Sequence, residues 1–292
     1  MIVGLLMLGG GAAAGVFGSL LGLGGGVLLV PLLTLGFGLP LREAVGVSLI
    51  SVIVTSSAAA GVYLERHVAN LRLGMTLELF TAIGALVGGS VAFLLDEQLL
   101  SLLFAGLLLY VAATMVRAGV RTAPATEPVA TDASETPETL VGDDFDRHVE
   151  RVPEPTAPAT TLERLSGPGY HVRNLGLGVV GATVAGVVSA LLGIGGGTIK
   201  VPLMHLAMGV PFRVATATSN MMIGITATAS AVIYLIRGGI DPYVAAPTAI
   251  GVFVGATIGS RLGHRVDLRV LRLLFVFVLV WLAIQMLIRA FS

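Results

Sequence analysis

The sequence contains no cysteine and a single lysine, and only 12% of its 292 residues are charged. The absence of cysteine excludes a membrane thiol–disulfide shuttle and a metal ion or cluster held by thiolates. The net charge is zero and no basic stripe with interleaved aromatic residues is present, so we expect no binding to nucleic acid. No glycine-rich phosphate loop of the ATPase type is present either. We therefore expect neither a cofactor nor a metal ion.

The chain is instead rich in apolar residues, which make up 55% of it, and its mean hydropathy is +0.94. Several uncharged stretches reach about 18 residues, the length that a helix needs to cross the hydrocarbon layer. The first of these stretches lacks a positively charged leader, so we interpret it as a retained helix and not as a signal peptide. The composition predicts a multi-pass integral protein, which we place in the cell membrane.

Two segments share one glycine-rich pattern. Residues 20–31 read Leu-Leu-Gly-Leu-Gly-Gly-Gly-Val-Leu-Leu-Val-Pro, and residues 191–202 read Leu-Leu-Gly-Ile-Gly-Gly-Gly-Thr-Ile-Lys-Val-Pro. With the same offset of 171, residues 15–89 align without a gap to residues 186–260, and 26 of these 75 positions are identical. The chain is therefore an internal duplication.

The duplication predicts three regions: a first transmembrane repeat over residues 1–118, a linker over 119–170 and a second repeat over 171–292. The linker holds seven of the 13 prolines and most of the acidic residues, so we expect it to be largely disordered. Each repeat has a helix, a glycine break, a short apolar run and three longer apolar segments. The predicted segments are 2–21, 27–37, 41–64, 71–95 and 99–116 in the first repeat, and 175–192, 198–208, 212–236, 242–262 and 270–288 in the second.

The positive charges indicate how the repeats are oriented, because arginine and lysine accumulate on the cytoplasmic side of a membrane. In the first repeat Arg66, His67 and Arg72 lie at the connection between the third and fourth apolar segments. In the second repeat the arginines cluster one connection later, around the turn between the fourth and fifth segments. Corresponding connections therefore face opposite sides. We predict an all-α polytopic membrane protein with two inverted repeats, each a glycine-broken helical hairpin plus three transmembrane helices, and a cytoplasmic linker.

The glycine breaks carry the candidate binding chemistry. The first amide groups of a helix have no intrahelical acceptor, and the helix dipole adds partial positive charge there, so such a terminus attracts anions. Consecutive glycines let an anion approach the backbone. The candidate positions are Gly24, Gly25, Gly26, Gly195, Gly196 and Gly197.

Lys200 is the only lysine beside 16 arginines, and it lies in the first turn after the second break. A cation within the membrane is expensive unless it is paired or hydrated, which favours a role in binding. The other interpretation is that Lys200 extends to the cytoplasmic interface. The equivalent residue in the first repeat is Leu29, so the two breaks are not equivalent.

Further polar residues lie within the apolar segments. Thr198, Ser48, Ser219 and Asn220 offer hydroxyl and amide donors, although each also suits a hydrogen bond between helices. Two ionisable residues look buried, and either would suit proton coupling: Glu78 and His205. Glu78 could instead pair with an arginine near the surface, and His205 could be a neutral residue of the core.

The duplicated Gly-x-Gly-Gly-Gly segments followed by Val-Pro, in two hydrophobic halves joined by a hydrophilic linker, resemble the TauE/SafE family of membrane permeases, also called the sulfite exporter family. The resemblance covers both halves and excludes the linker. It implies secondary transport of small anions such as sulfite, organosulfonates and related sulfur or carboxylate oxyanions. Of the candidate residues, only the six glycines are carried over as positions of the family's motif.

The resulting hypothesis is an anion transporter, not an enzyme, that works by alternating access about a central site at the two glycine-tipped helices. Its partners are the lipid bilayer, the anion and H+ or Na+ as a coupling ion. One alternative is an anion channel with the same binding chemistry. Another is an intramembrane hydrolase that uses Ser48 or Ser219 with His205. The sequence does not select the anion, the direction of flux or the coupling ion. It does not select the oligomeric state either, and a homo-oligomer is one option.

Overall fold

The structure is a computed structural model that describes residues 2–20, 25–65, 69–120, 165–166, 170–262 and 268–291, and within these ranges the chain is almost entirely helical. Most of the predicted linker lies outside them. The helices of the first repeat are α1 (Ile2–Leu20), α2 (Gly26–Pro31), α3 (Leu41–Glu65), α4 (Leu71–Ala92) and α5 (Glu97–Val120). Those of the second are α6 (Leu175–Leu192), α7 (Gly197–Pro202), α8 (Phe212–Ile236), α9 (Pro242–Leu262) and α10 (Leu268–Phe291).

The two short helices α2 and α7 each end in proline and continue as one turn of π-helix, over Leu32–Gly36 and Leu203–Ala207. Proline has no amide hydrogen and disturbs the regular hydrogen-bond ladder around it, which explains the wider turn. The duplication predicts this equivalence, because α2, α3 and α5 correspond residue for residue to α7, α8 and α10 at the offset of 171.

Close contacts at glycines show the directions of the helices. Gly10 of α1 lies against Leu32, and Gly25 lies beside Gly15, so α1 and α2 form a hairpin. A Cβ atom added to Gly251 or Gly255 would collide with the carbonyl oxygens of Leu8 and Ala12 respectively. Both contacts share one sequence offset, which means that α1 and α9 run in the same direction. The lack of side chains lets these backbones approach closely.

The start of α3 lies where α4 and α8 end. Arg42, in the first turn of α3, donates a hydrogen bond to the carbonyl of Leu95 after α4. The guanidinium carbons of Arg42 and of Arg237, at the end of α8, lie 6.0 and 5.8 Å from the centre of the Phe93 ring. Helix α3 therefore runs opposite to its counterpart α8. This direction is the one expected if the repeats are inverted.

The helices pack into two bundles that do not coincide with the two sequence repeats. Helix α9 packs most extensively on α1 and also on α3, and its counterpart α4 packs on α6 and α8. Bundle A thus consists of α1, α2, α3 and α9, and bundle B consists of α6, α7, α8 and α4. The repeats have exchanged their fourth helices. The bundles meet along α3 and α8, while α5 and α10 pack against each other beside them.

Seven described helices are long and apolar enough to cross a membrane: α1, α4, α5, α6, α8, α9 and α10. Many large apolar side chains on their outer faces are exposed, among them Leu5, Leu79 and Phe277. Several hydroxyl groups, Glu78 and Lys200 are buried inside. Apolar residues outside and polar residues inside are the arrangement expected of a polytopic protein in lipid. The predicted all-helical membrane fold is therefore confirmed.

Candidate functional site

The two glycine breaks lie against each other inside the protein. Gly25 and Gly196 cap α2 and α7 with φ angles of 72° and 74°, which side chains other than hydrogen rarely allow. A Cβ atom on Gly26 would lie 2.9 Å from the carbonyl oxygen of Gly193, so the first break rests on the second. Ser48 of α3 donates a hydrogen bond of 2.7 Å to the same oxygen. This junction is buried, and Gly24 lies outside the described residues.

A buried ionic network lies one turn beyond the second break. The Nζ atom of Lys200 on α7 is 3.3 Å from Oε2 of Glu78 on α4 and donates a 2.5 Å hydrogen bond to Oγ1 of Thr226 on α8. Thr226 in turn donates to Oε1 of Glu78 at 2.6 Å. The three residues are 1%, 3% and 0% exposed. Each partner of the ion pair therefore compensates a charge that would be costly to bury alone.

The network decides between the interpretations of Lys200 and Glu78 that the sequence left open. Lys200 does not extend to the membrane interface, because its ammonium group is buried against Glu78. Glu78 is buried as expected, and its partner is this lysine and not an arginine near the surface. The duplication could have identified Thr226 as a candidate, because a threonine, Thr55, also occupies the equivalent position of the first repeat.

Two buried hydroxyl groups beside the second break have no hydrogen-bond partner in the described part of the chain: Ser189 Oγ and Ser219 Oγ. A Cβ atom on Gly196 would lie 3.2 Å from Cβ of Ser189 and 3.4 Å from Cε of Lys200. A Cβ atom on Gly197 would lie 3.7 Å from Ser219 Oγ. Buried polar groups without partners in a native protein call for an additional ligand or water molecule. Nothing in the sequence singles out Ser189, because its counterpart in the first repeat is Gly18.

The remaining candidate residues differ in how deeply they are buried. Gly195 and Gly196 are buried, whereas Gly197, Thr198 and Asn220 are half-buried. The prediction that His205 is buried is wrong. His205 is exposed on the last π-helical turn, where Nδ1 lies 2.9 Å from the carbonyl oxygen of Val210. In an apolar segment hydropathy alone does not reveal which face of the helix is covered.

The ionic network has no counterpart in bundle A. The positions equivalent to Lys200 and Glu78 are Leu29 and Ala249, both buried, and only the threonine is kept as Thr55. Helix α2 nevertheless has the same length as α7 and is followed by the same π-helical turn. The hairpin therefore forms equally well with an apolar residue at this position.

A separate open groove of about 300 Å³ lies between α3 and α8, where the two bundles meet. It is lined by Ser56, Ser57, Met221, Gly224, Ile225 and Thr228. Ser57 and Thr228 are equivalent positions of the two repeats, so hydroxyl groups of both repeats face one space. Ser57, Ile225 and Thr228 are exposed, so the space is an open groove and not an enclosed cavity. Lys200 is not part of its wall.

The donors at the second break suit an anion better than a metal ion. The ammonium group and the first amide groups of α7 only donate hydrogen bonds, the two unpaired hydroxyls also accept, and the one carboxylate described there, Glu78, is paired with Lys200. A hard cation requires several oxygen ligands. Within the described ranges no three acidic or histidine side chains are grouped so as to hold a metal ion. Of the residues in the hydrolase alternative, His205 contacts Val210 and Phe212, and Ser48 donates to the carbonyl oxygen of Gly193.

Comparison with known proteins gives the family. Residues 7–286 match the family described as Sulfite exporter TauE/SafE. The chain is also 25% identical over 253 residues to the "Probable membrane transporter protein YunE" of Bacillus subtilis (strain 168), which covers 84% of this chain and 83% of the relative. No solved structure matches the chain. The match extends over both repeats and the glycine breaks that the resemblance singled out, and the chain belongs to the sulfite exporter TauE/SafE family of membrane transporters.

Proposed function

We propose that the protein is a secondary transporter of small anions, such as sulfite, organosulfonates or related sulfur and carboxylate oxyanions, in the cell membrane. The observation that carries the proposal is the buried Lys200 beside the two unpaired hydroxyls of Ser189 and Ser219 at the second glycine break. An oxyanion there would accept hydrogen bonds from all three groups and from the first amides of α7.

The packing supports alternating access. Bundles A and B meet along α3 and α8, and the glycine breaks lie at this contact between the bundles. Rocking of one bundle against the other about this contact would open the region to each side in turn. The opposite directions of α3 and α8 support the inverted repeat that such transport folds use. The moving units are then the exchanged bundles and not the halves of the sequence. We place the linker in the cytoplasm.

The transport hypothesis is tested with purified protein in liposomes. Uptake of sulfite, thiosulfate, methanesulfonate and acetate is measured with and without a preloaded counter-anion. A carrier is expected to show saturable uptake that a trapped anion accelerates, whereas a channel shows no such acceleration. Absence of uptake and of exchange for every anion, in protein that remains folded, would refute the proposal.

The site is tested with Ser219→Ala. Removing a buried hydroxyl that has no partner is expected to leave stability unchanged or slightly higher. The anion would lose one hydrogen bond, worth about 1.5–3 kcal/mol when a partner is charged, so we expect its KM to rise about tenfold or more. The control is Ser230→Ala, on the same helix, whose hydroxyl donates to the carbonyl of Thr226. Equal KM values for S219A and the parent would remove Ser219 from the site.

A further inference from the structure

The proposed anion site already contains a buried ion pair whose net charge is zero. The Lys200 ammonium is already neutralised by Glu78 at 3.3 Å, and its remaining contact is the Thr226 hydroxyl. An incoming anion therefore meets a buried site with no net charge. It can bind Lys200 strongly only if Glu78 gives up its negative charge.

We propose that the Glu78 carboxylate is an internal substitute for the transported anion and that Glu78 carries the coupling proton. In the empty carrier, Glu78 holds Lys200. When Glu78 takes up a proton from the aqueous side, Lys200 is released to the oxyanion, and one proton crosses the membrane with each anion. The proton leaves Glu78 when the anion departs, and the ion pair forms again. This inference rests on the proposed anion transport and names its coupling ion.

The charges balance at each step. The empty site holds one ammonium and one carboxylate, so its net charge is zero. The loaded site holds one ammonium, one neutral carboxyl group and one monovalent anion, and its net charge is again zero. With a monovalent anion the bundle thus carries no uncompensated charge through the low-dielectric interior, which is the costly state for a membrane protein.

The surroundings leave Glu78 with one ionisable neighbour in the described residues. Helix α6, which packs on α4, has no charged residue, and α8 contributes Thr226 at the contact. Arg213 at the start of α8 and His205 after α7 are both exposed. The protonation state of Glu78 is therefore linked directly to Lys200. Thr226 contacts both partners, so it positions the carboxylate and the ammonium relative to each other.

A purely structural ion pair would be the competing explanation. The structure of bundle A argues against a purely structural role, because its equivalent hairpin forms with Leu29 and Ala249 at these positions and contains no charge there. Buried ion pairs are also weak sources of stability compared with apolar residues of similar size. The pair is thus an addition to bundle B that the helix geometry does not demand.

The test measures proton uptake together with anion influx in proteoliposomes that contain a trapped pH-sensitive dye. Methanesulfonate, which is monovalent, is the probe for the proton-to-anion ratio, whereas sulfite and thiosulfate test only whether anions are transported. The signal of protein-free liposomes is subtracted. In the parent protein we expect each methanesulfonate ion to enter with one proton. In Glu78→Gln, which resembles the protonated side chain in shape and charge, we expect exchange of anion for anion to continue, with proton uptake lost and no dependence of exchange on pH.

The positioning role of Thr226 is tested with Thr226→Val and its matched control Thr55→Val in bundle A. T226V removes the hydroxyl between Lys200 and Glu78, so we expect the pH at which uptake is half-maximal to shift. T55V removes the equivalent hydroxyl where no ion pair exists, and we expect the pH profile of the parent. Identical profiles for T226V and T55V would show that Thr226 has only a structural role.

The outcomes separate this inference from the proposed function. If the parent moves methanesulfonate without proton uptake, or if E78Q still takes up protons with methanesulfonate, the coupling mechanism is refuted while anion transport stands. If the parent moves none of the probes, both proposals fail. Should E78Q not fold, the proton-to-anion ratio of the parent alone decides the matter.

Discussion

The most informative perturbation replaces the ion pair of bundle B by the residues that bundle A has at the same positions. The double variant Glu78→Ala/Lys200→Leu converts the pair into the counterpart of Ala249 and Leu29. The two single variants complete a thermodynamic cycle. If the pair serves transport and not folding, the double variant is expected to fold and to lose anion uptake.

The expected magnitudes follow from the burial of the pair. Lys200 and Glu78 are 1% and 3% exposed, so each single variant leaves one buried charge without its partner, which costs about 3–5 kcal/mol. The double variant leaves no charge and only the space vacated by the truncated Glu78 side chain, at a cost of about 1 kcal/mol. The sum of the single effects should therefore exceed the double effect by at least about 5 kcal/mol.

The assay is thermal unfolding of the purified variants in detergent, combined with uptake in liposomes. We expect the single variants to melt about 6–20 °C below the parent and the double variant within about 5 °C of it. Arg213→Ala, which removes an exposed positive charge from α8, is the control for a general effect of charge and should keep both properties. Additive losses of stability, or undiminished uptake by the folded double variant, would refute the reasoning.

Two other predictions concern the fold. Gly186→Ala should prevent stable folding, because its Cβ atom would collide with the carbonyl oxygen of Thr81 and force α6 away from α4. The control is Gly176→Ala, which has open space around it. In thermal unfolding this variant should be neutral or more stable by about 0.5–1 kcal/mol. Single cysteines placed at Val68 and Gly239, in a chain without other cysteines, should react with a membrane-impermeant reagent from opposite sides of the membrane. Reaction of both from the same side would contradict the inverted arrangement.

The helices could be predicted from the sequence because their evidence is local. Each is a long apolar stretch bounded by charges, glycines or proline, and the offset of 171 relates the two sets. The short α2 and α7 were expected because Gly26–Gly36 is too short to span a membrane comfortably. The six glycines and Lys200 were selected for the same reason, since glycine runs and an isolated cation stand out against an apolar background.

The partners of these residues could not be predicted, because uniformly apolar helices carry little information about which face turns inward. His205 shows this limit: it lies in an apolar segment and yet is exposed. Glu78 and Lys200 are 122 residues apart and belong to different repeats, so no local pattern connects them. Ser189 likewise became a candidate only through its position beside Gly196.

The sequence by itself determined a duplicated membrane protein with two glycine-broken hairpins and one lysine at the second. Only the tertiary structure decided that the repeats exchange α4 and α9, and that this exchange brings the carboxylate of the first repeat to the ammonium of the second. The physical reason is that apolar residues and glycines fix where a helix runs and how closely it packs. The neighbour it packs on is selected by the fit of the whole bundle, in which a buried charge must find its opposite.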